Sequence, residues 1–483
     1  MRSTFEKFGL VSSGVVVGVL ISVNLSVLAE MVSAPQLPID DLRVFAEVFG
    51  KVKSDYVEPV EDKKLINEAL AGMLTGLDPH STFMDADAYK DLQSGTQGEF
   101  GGLGIEVAME EGLVKVVTPI EDSPAYKAGL KSGDLISKLD DTQVRGLTLN
   151  DAVKKMRGKP DTKIVLTVLR KGEPKPLTFN LTRAVIKTQS VKNKYIEKDY
   201  AYIRITQFQE HTGEDLAKAL TSLHAQNGGP FKGLVLDMRN NPGGLLDASV
   251  GVSAAFLAKN DLVVYTEGRV QDSKMRLSAN PLDYARRGKN DYLKNVPESY
   301  KKTPMVVLVN SGSASASEIV AGALQDHKRA TILGVQSFGK GSVQTILPMN
   351  NGSAIKLTTA RYFTPNGRSI QAKGIVPDII VEDGSDQSNN LHEADLAKHI
   401  SNPKDGANNA PVVKDQAKED AAKAKLNEKR FSEPQGPIEP ASKDDFQFMQ
   451  AMNVLKGLPV QKMPEIKAAE AKPAEAKPNE VKK

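Results

Sequence analysis

A run of alternating serines and a glycine-bracketed lysine are the residues of this chain best suited to nucleophilic chemistry. The run, Asn310-Ser-Gly-Ser-Ala-Ser-Ala-Ser-Glu318, follows the apolar stretch Met305–Val309 and precedes the helical pattern Ile319–Leu324. A serine at such a strand-to-helix turn stands exposed at the edge of a sheet, and the helix N-terminus favours negative charge developing beside it. Small residues on both sides let a substrate backbone approach. Ser311, Ser313, Ser315 and Ser317 all qualify, and spacing does not choose among them. Ser315 and Glu318 also have the spacing of a capping box, so the competing reading is a serine that only caps the helix.

The lysine lies in Gly334-Val-Gln-Ser-Phe-Gly-Lys-Gly-Ser342. The stretch nearly matches a phosphate-binding loop, but Gly341 stands where a metal-binding Ser or Thr belongs. A phosphate loop must also open a helix, and Val343–Leu347 alternates as a strand does. Lys340, flanked by glycines, can approach another backbone closely. Desolvated there, its ammonium loses affinity for its proton and becomes able to take one from a serine. The plain alternative is a solvated surface lysine.

Two glycine-rich loops complete the set. Asp237-Met-Arg-Asn-Asn-Pro-Gly-Gly244 follows the apolar stretch Gly233–Leu236. Its tight turn offers backbone N–H groups of the kind that hold an oxyanion, though such loops are also ordinary βα connections. Asp237 and Arg239 read as an ion pair that braces the loop. Gly101-Gly-Leu-Gly-Ile105 opens a β-rich stretch and could present N–H groups to a carboxylate beside an open strand edge.

The elements that must position these residues fall into blocks. Residues 37–95 read as helical from the recurrence of Leu42, Phe45, Val48, Phe49 and Val52, then Leu65, Ile66, Ala69 and Leu74. They would form a small cap or a dimerisation arm. Between about Gly98 and Arg183, five short strand-like runs and two short helices suggest a small, partly open β-barrel; Thr148 and Asp151 announce the second helix. From Ile186 to Val381 strands and helices alternate, which predicts an α/β layered domain with a mostly parallel sheet. Gly268–Lys302 interrupts that rhythm and is expected to be an insertion over the active-site side. After Gly384 a Lys-, Glu-, Ala- and Pro-rich composition predicts a solvated tail, apart from the amphipathic stretch near 444–456.

Composition narrows the class. The chain has 483 residues, so it needs more than one core. It contains no cysteine, which excludes disulfides, thiolate metal sites and a cysteine nucleophile. Its histidines form no metal-ligand spacing, so neither a metal nor another cofactor is called for. A net charge of +3 and the absence of tryptophan give no footing for nucleic acid. Arg2 and Lys7 precede an uncharged stretch, Phe8–Ala29, that ends in small residues. This is the pattern of an export signal or an uncleaved anchor, and it predicts a periplasmic protein, soluble or tethered to the inner membrane.

With these motifs in hand, the sequence resembles the carboxyl-terminal processing peptidases, tail-cutting serine peptidases with an inserted PDZ domain. The resemblance covers roughly residues 40–382 and rests on Gly-Leu-Gly-Ile105, Ser132-Gly-Asp-Leu-Ile136, Arg239–Gly244, Gly312–Glu318, Gly339-Lys-Gly341 and Gly374-Ile-Val-Pro-Asp378. It implies a PDZ-like barrel (96–184) inserted beside a serine peptidase domain (185–382). The flanks would be a helical arm (37–95), a signal or anchor (1–29) and a low-complexity extension (385–483).

The same resemblance picks Ser315 as nucleophile, Lys340 as general base and Gln344 as the group orienting the lysine. It places the oxyanion between the N–H groups of Gly243 and Ala316. Leu103, Gly104 and Ile105 would receive a substrate's terminal carboxylate, and Arg157 would report peptide binding to the active site. It further implies protein substrates with apolar C-termini, a PDZ unit that gates access, a homo-oligomer and room for an activating adaptor. The rival reading is a PDZ adaptor that holds protein C-termini without cutting them.

Overall fold

The computed structural model describes residues 37–120, 122–285, 290–382, 391–403 and 439–461. The expected export segment, 1–29, lies outside the described residues. Described residues up to Leu70 belong to one compact unit and those from Ala71 onward to a second. In the first, helix Ile39–Asp55 carries Asp40 and Asp41 in its first turn and Lys53 in its last, matching the helix dipole. It buries none of its residues, and Leu42, Phe45 and Val48 stay 46–56% exposed.

The second unit is organised by a six-stranded sheet in the order Val191–Glu197, Tyr200–Ile205, Gly233–Asp237, Met305–Val309, Thr331–Gly334, Ile379–Ile380. The first pair is antiparallel and the rest are parallel. Gly233–Asp237 and Met305–Val309 are buried along their whole length, as strands covered on both faces must be. One face packs on helices Thr212–Asn227, Leu246–Ala254 and Ala316–Asp326 through Leu216, Leu220, Val250 and Val320. The other receives helix Phe446–Leu455, whose Phe448, Ala451 and Met452 pack on Tyr202, Val235, Val306 and Leu308. The amphipathic stretch of the C-terminal extension therefore docks on the chain's own sheet.

A second, mostly antiparallel sheet centres on the long strand Ala354–Phe363, which pairs with Ser342–Pro348, Leu262–Gly268 and Thr82–Met84. The last of these departs from the helical reading of 37–95. Thr82 pairs with Lys356, and the turn before it enters the active-site region. The described part of Gly268–Lys302 packs on two helices of the layered domain. Tyr300 donates to the Leu220 carbonyl at 2.8 Å, and Tyr292 stands against Gly213 and Gly251, so this stretch buttresses the two helices.

The barrel-like unit enters and leaves through one antiparallel ribbon, Glu99–Gly102 with Ala184–Lys187. Between them lies an antiparallel sheet, Ile105–Glu110, Leu113–Pro119, Leu135–Leu139, Lys163–Leu169 and Leu177–Thr182. Strict alternation in Lys163–Leu169 sends Ile164, Leu166 and Val168 inward, where they meet Val114, Val116 and Ile136. Thr148 caps helix Leu149–Met156 by accepting from the Asp151 N–H at 3.2 Å.

Candidate active site

Parallel pairing of Gly233–Asp237 with Met305–Val309, Asp237 opposite Leu308, brings both following loops to the same sheet edge. The loops are then tied together. Ser313 Oγ donates to the Met238 carbonyl at 2.8 Å and Ser317 Oγ to that of Asn241 at 2.9 Å. The Ala314 N–H donates to the same Asn241 carbonyl at 3.0 Å. These bonds set two of the four serines aside. Ser313 and Ser317 are buried fasteners, whereas Ser315 is half-buried at the turn itself. Ser315 has φ 54° and ψ −112°, a strained conformation for a residue with a Cβ.

That strain is held by Glu318, three residues into the helix start and fully buried. Its Oε2 accepts the Ser315 N–H at 2.8 Å and the Lys340 N–H at 2.9 Å. Its Oε1 accepts from Ser337 Oγ at 2.5 Å and the Gly339 N–H at 2.7 Å. Burial pushes the carboxyl up to about 7 against the pull of these four donors. Sequence reasoning read Glu318 as half of a helix cap; here it also fixes the lysine loop.

Lys340 is half-buried ahead of strand Ser342–Pro348. Desolvation, then the neighbouring Lys356 ammonium, lowers it to about 8, while the carboxylates of Glu393, Glu318 and Asp78 oppose the shift. A lysine so placed is largely neutral just above that pH and can act as a base. Gly341 has no room for a side chain, since a Cβ would lie 2.4 Å from the Gln371 nitrogen. Tyr362, fully buried, donates to the Lys340 carbonyl and touches the Ser315 side chain. Among the described residues no hydrogen bond joins Ser315 Oγ to Lys340 Nζ; such contacts often tighten only when substrate binds.

Gly243 lies directly against Ser315. With φ 100°, a Cβ there would sit 2.8 Å from Ser315 Cβ and 2.9 Å from the Ala316 nitrogen. Ala316 opens the helix, so its N–H has no intrahelical partner. The Gly243 N–H, however, donates to Asn241 Oδ1 at 2.9 Å. Among the described residues, only the Ala316 N–H of the two expected oxyanion donors lacks an acceptor in this conformation. The Gln344 amide donates to Ser342 Oγ at 3.0 Å and Thr358 Oγ1 at 3.2 Å, and among the described residues no hydrogen bond joins its Oε1 to the lysine. Asp237 and Arg239 form the expected ion pair, and Arg239 reaches on to Asp445 at 2.7 Å.

In the barrel-like unit, Leu103, Gly104 and Ile105 line a cavity of about 80 Å³ with Val153, Met156 and Arg157. Among the described residues the Leu103 and Gly104 N–H groups have no acceptor, while their carbonyls take Ala125 N–H and Ser123 Oγ. The Arg157 guanidinium lies 5.0 Å over the Phe100 ring and 3.7 Å from Asp91 Oδ1. Asp91 belongs to helix Ala86–Gln97, which follows the strand Thr82–Met84.

Comparison with known proteins agrees with this layout. Residues 199–381 match the model of peptidase family S41, residues 101–181 a PDZ domain, and residues 24–88 the N-terminal domain of the activating protease CtpB. A carboxy-terminal-processing protease of Bartonella bacilliformis is 46% identical over 86% of this chain and 93% of its own length. The chain belongs to the carboxy-terminal processing protease family. It is a serine-type peptidase with a PDZ domain. The carboxy-terminal processing protease CtpB of Bacillus subtilis is 38% identical over 70% of this chain and 67% of its own. A solved photosystem II D1 C-terminal processing protease is 32% identical, covering 68% of this chain and 84% of its own, with a TM-score of 0.40.

Several residues at this peptidase's site were not singled out in the sequence. Asp78 accepts from Ser81 and Thr358, His80 and Glu393 pair at 2.8 Å, and Tyr362 joins both candidate catalytic residues. None sits in a dense motif. The one signal was Asp78-Pro-His-Ser81, a turn sequence breaking the helical pattern.

Proposed function

We propose that the chain is an endopeptidase that cuts exported proteins near their C-termini, with Ser315 and Lys340 as a dyad. Neutral Lys340 takes the hydroxyl proton of Ser315 as its Oγ bonds to the scissile carbonyl carbon. The resulting ammonium protonates the departing amine, and water then hydrolyses the acyl-enzyme. The Ala316 N–H, with the Gly243 N–H once Asn241 releases it, stabilises the oxyanion. Gln344 orients the ammonium when the dyad engages.

An extended apolar tail seats its carboxylate on the N–H groups of Leu103, Gly104 and Ile105. Arg157 carries that event through Asp91 toward the peptidase domain, so tail binding gates cleavage. The exposed apolar face of Ile39–Asp55 supports a homo-oligomer and leaves a surface open to an activating adaptor protein. The flanks of Phe8–Ala29 support export to the periplasm, in soluble or membrane-anchored form.

The observation that carries this reading is the shared carboxylate of Glu318, which registers the nucleophile turn against the loop bearing a lysine poised near 8. The test is a gel assay on an unfolded protein with an apolar C-terminus, comparing wild type with Ser315→Ala. Cleavage by wild type alone supports the assignment; equal cleavage by both removes it.

A further inference from the structure

The segment 391–403 lies beyond the residues that match the peptidase family and within the stretch whose composition predicts a solvated tail. Glu393 is nevertheless 0% exposed. Its N–H donates to the Phe338 carbonyl at 2.9 Å, and His392 Nδ1 lies 3.2 Å from that of Ser337, so the segment lies along the loop that carries Lys340. Its carboxylate meets His80 Nε2 at 2.8 and 2.9 Å. Gln371 completes a bridge: its Nε2 donates to Glu393 Oε1 at 2.9 Å, and its Oε1 accepts the Gly341 N–H at 3.0 Å. Asn402 closes the far end by donating to the Gln371 carbonyl at 2.7 Å.

A buried carboxylate is retained only when paired, and it acts strongly on charges nearby. The residue after Lys340 is thus one side chain away from Glu393. The charged groups acting on Lys340 come from four elements: Lys356 from strand Ala354–Phe363, Glu318 from helix Ala316–Asp326, Asp78 from the turn before Thr82, and Glu393 from this segment; Tyr362 bonds the Lys340 carbonyl, and His80 faces Glu393. Lys356 and Glu393 pull in opposite directions.

We propose that Glu393, supported by His80, is a positioning residue for the peptidase reaction: through Gln371 it holds the Lys340 loop, and it sets a buried negative charge beside that loop. This rests on the Ser315–Lys340 reading above. The C-terminal segment is thereby part of the catalytic apparatus.

The sign of the effect is testable. A nearby carboxylate favours the lysine's charged form, so removing its charge leaves Lys340 neutral to lower pH. In the full chain, Glu393→Gln should move the acidic limb of kcat/KM down by about half a pH unit or more. The plateau of kcat should fall roughly tenfold with KM little changed, as expected for a base slightly displaced. Glu393→Asp, which keeps the charge, should keep the wild-type midpoint and recover part of the plateau. Rates are referred to enzyme that an active-site-directed fluorophosphonate labels, so unfolded protein does not enter.

An unmoved limb in Glu393→Gln, with only less labelled enzyme, would reduce the residue to a structural one and overturn the proposal. If that variant does not fold, Gln371→Met decides. It leaves the charge and breaks the bridge, so kcat should fall at an unshifted midpoint, and an unchanged kcat overturns the proposal. Failure of the dyad reading would look different: wild type would show no acidic limb, or Ser315→Ala would remain active.

Discussion

The main-chain N–H groups of Ser315 and Lys340 end on one oxygen, Oε2 of Glu318, at 2.8 and 2.9 Å. The serine turn and the lysine loop are therefore tied to one carboxylate, although they lie beside strands of different sheets. Side-chain alignment of the dyad is left as the adjustable step, which fits a peptidase whose reacting groups engage on substrate binding.

Lysine as the base fixes the direction of the pH dependence. With Lys340 lowered to about 8, kcat/KM should rise through that pH and level off above it. Lys340→Ala should reduce turnover roughly 10³-fold or more while leaving tail-peptide affinity unchanged. A profile governed by a limb near 6 instead would point to a histidine.

Glu318 makes a prediction about stability. Its folded value, about 7, lies above the ordinary 4.5, so the folded state holds the proton more tightly than the unfolded chain does. Its contribution is fully present below about 4.5 and is lost as pH rises through about 7, an effect on the order of 3 kcal/mol. Urea unfolding of wild type and Glu318→Gln should show the variant's deficit shrinking between pH 5 and pH 8. A deficit independent of pH would contradict the assignment. The variant should also lose most activity, because its amide NH₂ replaces an acceptor for two of the four donors.

Gly243→Ala tests the contact at the nucleophile. The new methyl would meet Ser315 Cβ and the Ala314 carbonyl oxygen at 2.8 Å on a backbone with φ 100°. We expect kcat to fall roughly 10²-fold, the scale of losing one oxyanion donor. Thermal stability should fall by about 1–3 kcal/mol from backbone strain. Wild-type kcat in this variant would place the oxyanion elsewhere.

The docked C-terminal helix can be tested through Asp445. Arg239 is largely buried between Asp237 and Asp445, and Asp237 also takes Arg204 and the Tyr202 hydroxyl. Asp445→Ala leaves a buried guanidinium short of one carboxylate, which should destabilise the chain by about 3 kcal/mol and lower Tm. An unchanged Tm would mean that the helix contributes little to the fold.

Much of this site was legible because its parts sit in short, locally distinctive stretches. The serine turn, the Gly-Lys-Gly loop and the Pro-Gly-Gly turn each need small residues, and small residues in series are visible in sequence. What distinguishes Ser315 from Ser313 and Ser317 was not legible from spacing, since it depends on where those two find carbonyls across the neighbouring loop. The double role of Glu318 was hidden because a helix cap and a loop anchor use the same residue. His80 and Glu393 were hidden for another reason: they are 313 positions apart, and each lies in a stretch whose average polarity describes its neighbours better than itself. The strand Thr82–Met84 was read as helix because only three residues pair, too few to show an alternation.

The helix Phe446–Leu455 and the Glu393 clamp both follow the catalytic motifs in the chain, and this gives the architecture a temporal meaning. During synthesis Ser315 and Lys340 emerge well before the residues that seat their loops. On the Ser315–Lys340 reading, the reacting groups are therefore in the chain before the residues that seat their loops. On that reading the site is complete only after residues 391–461 have been made.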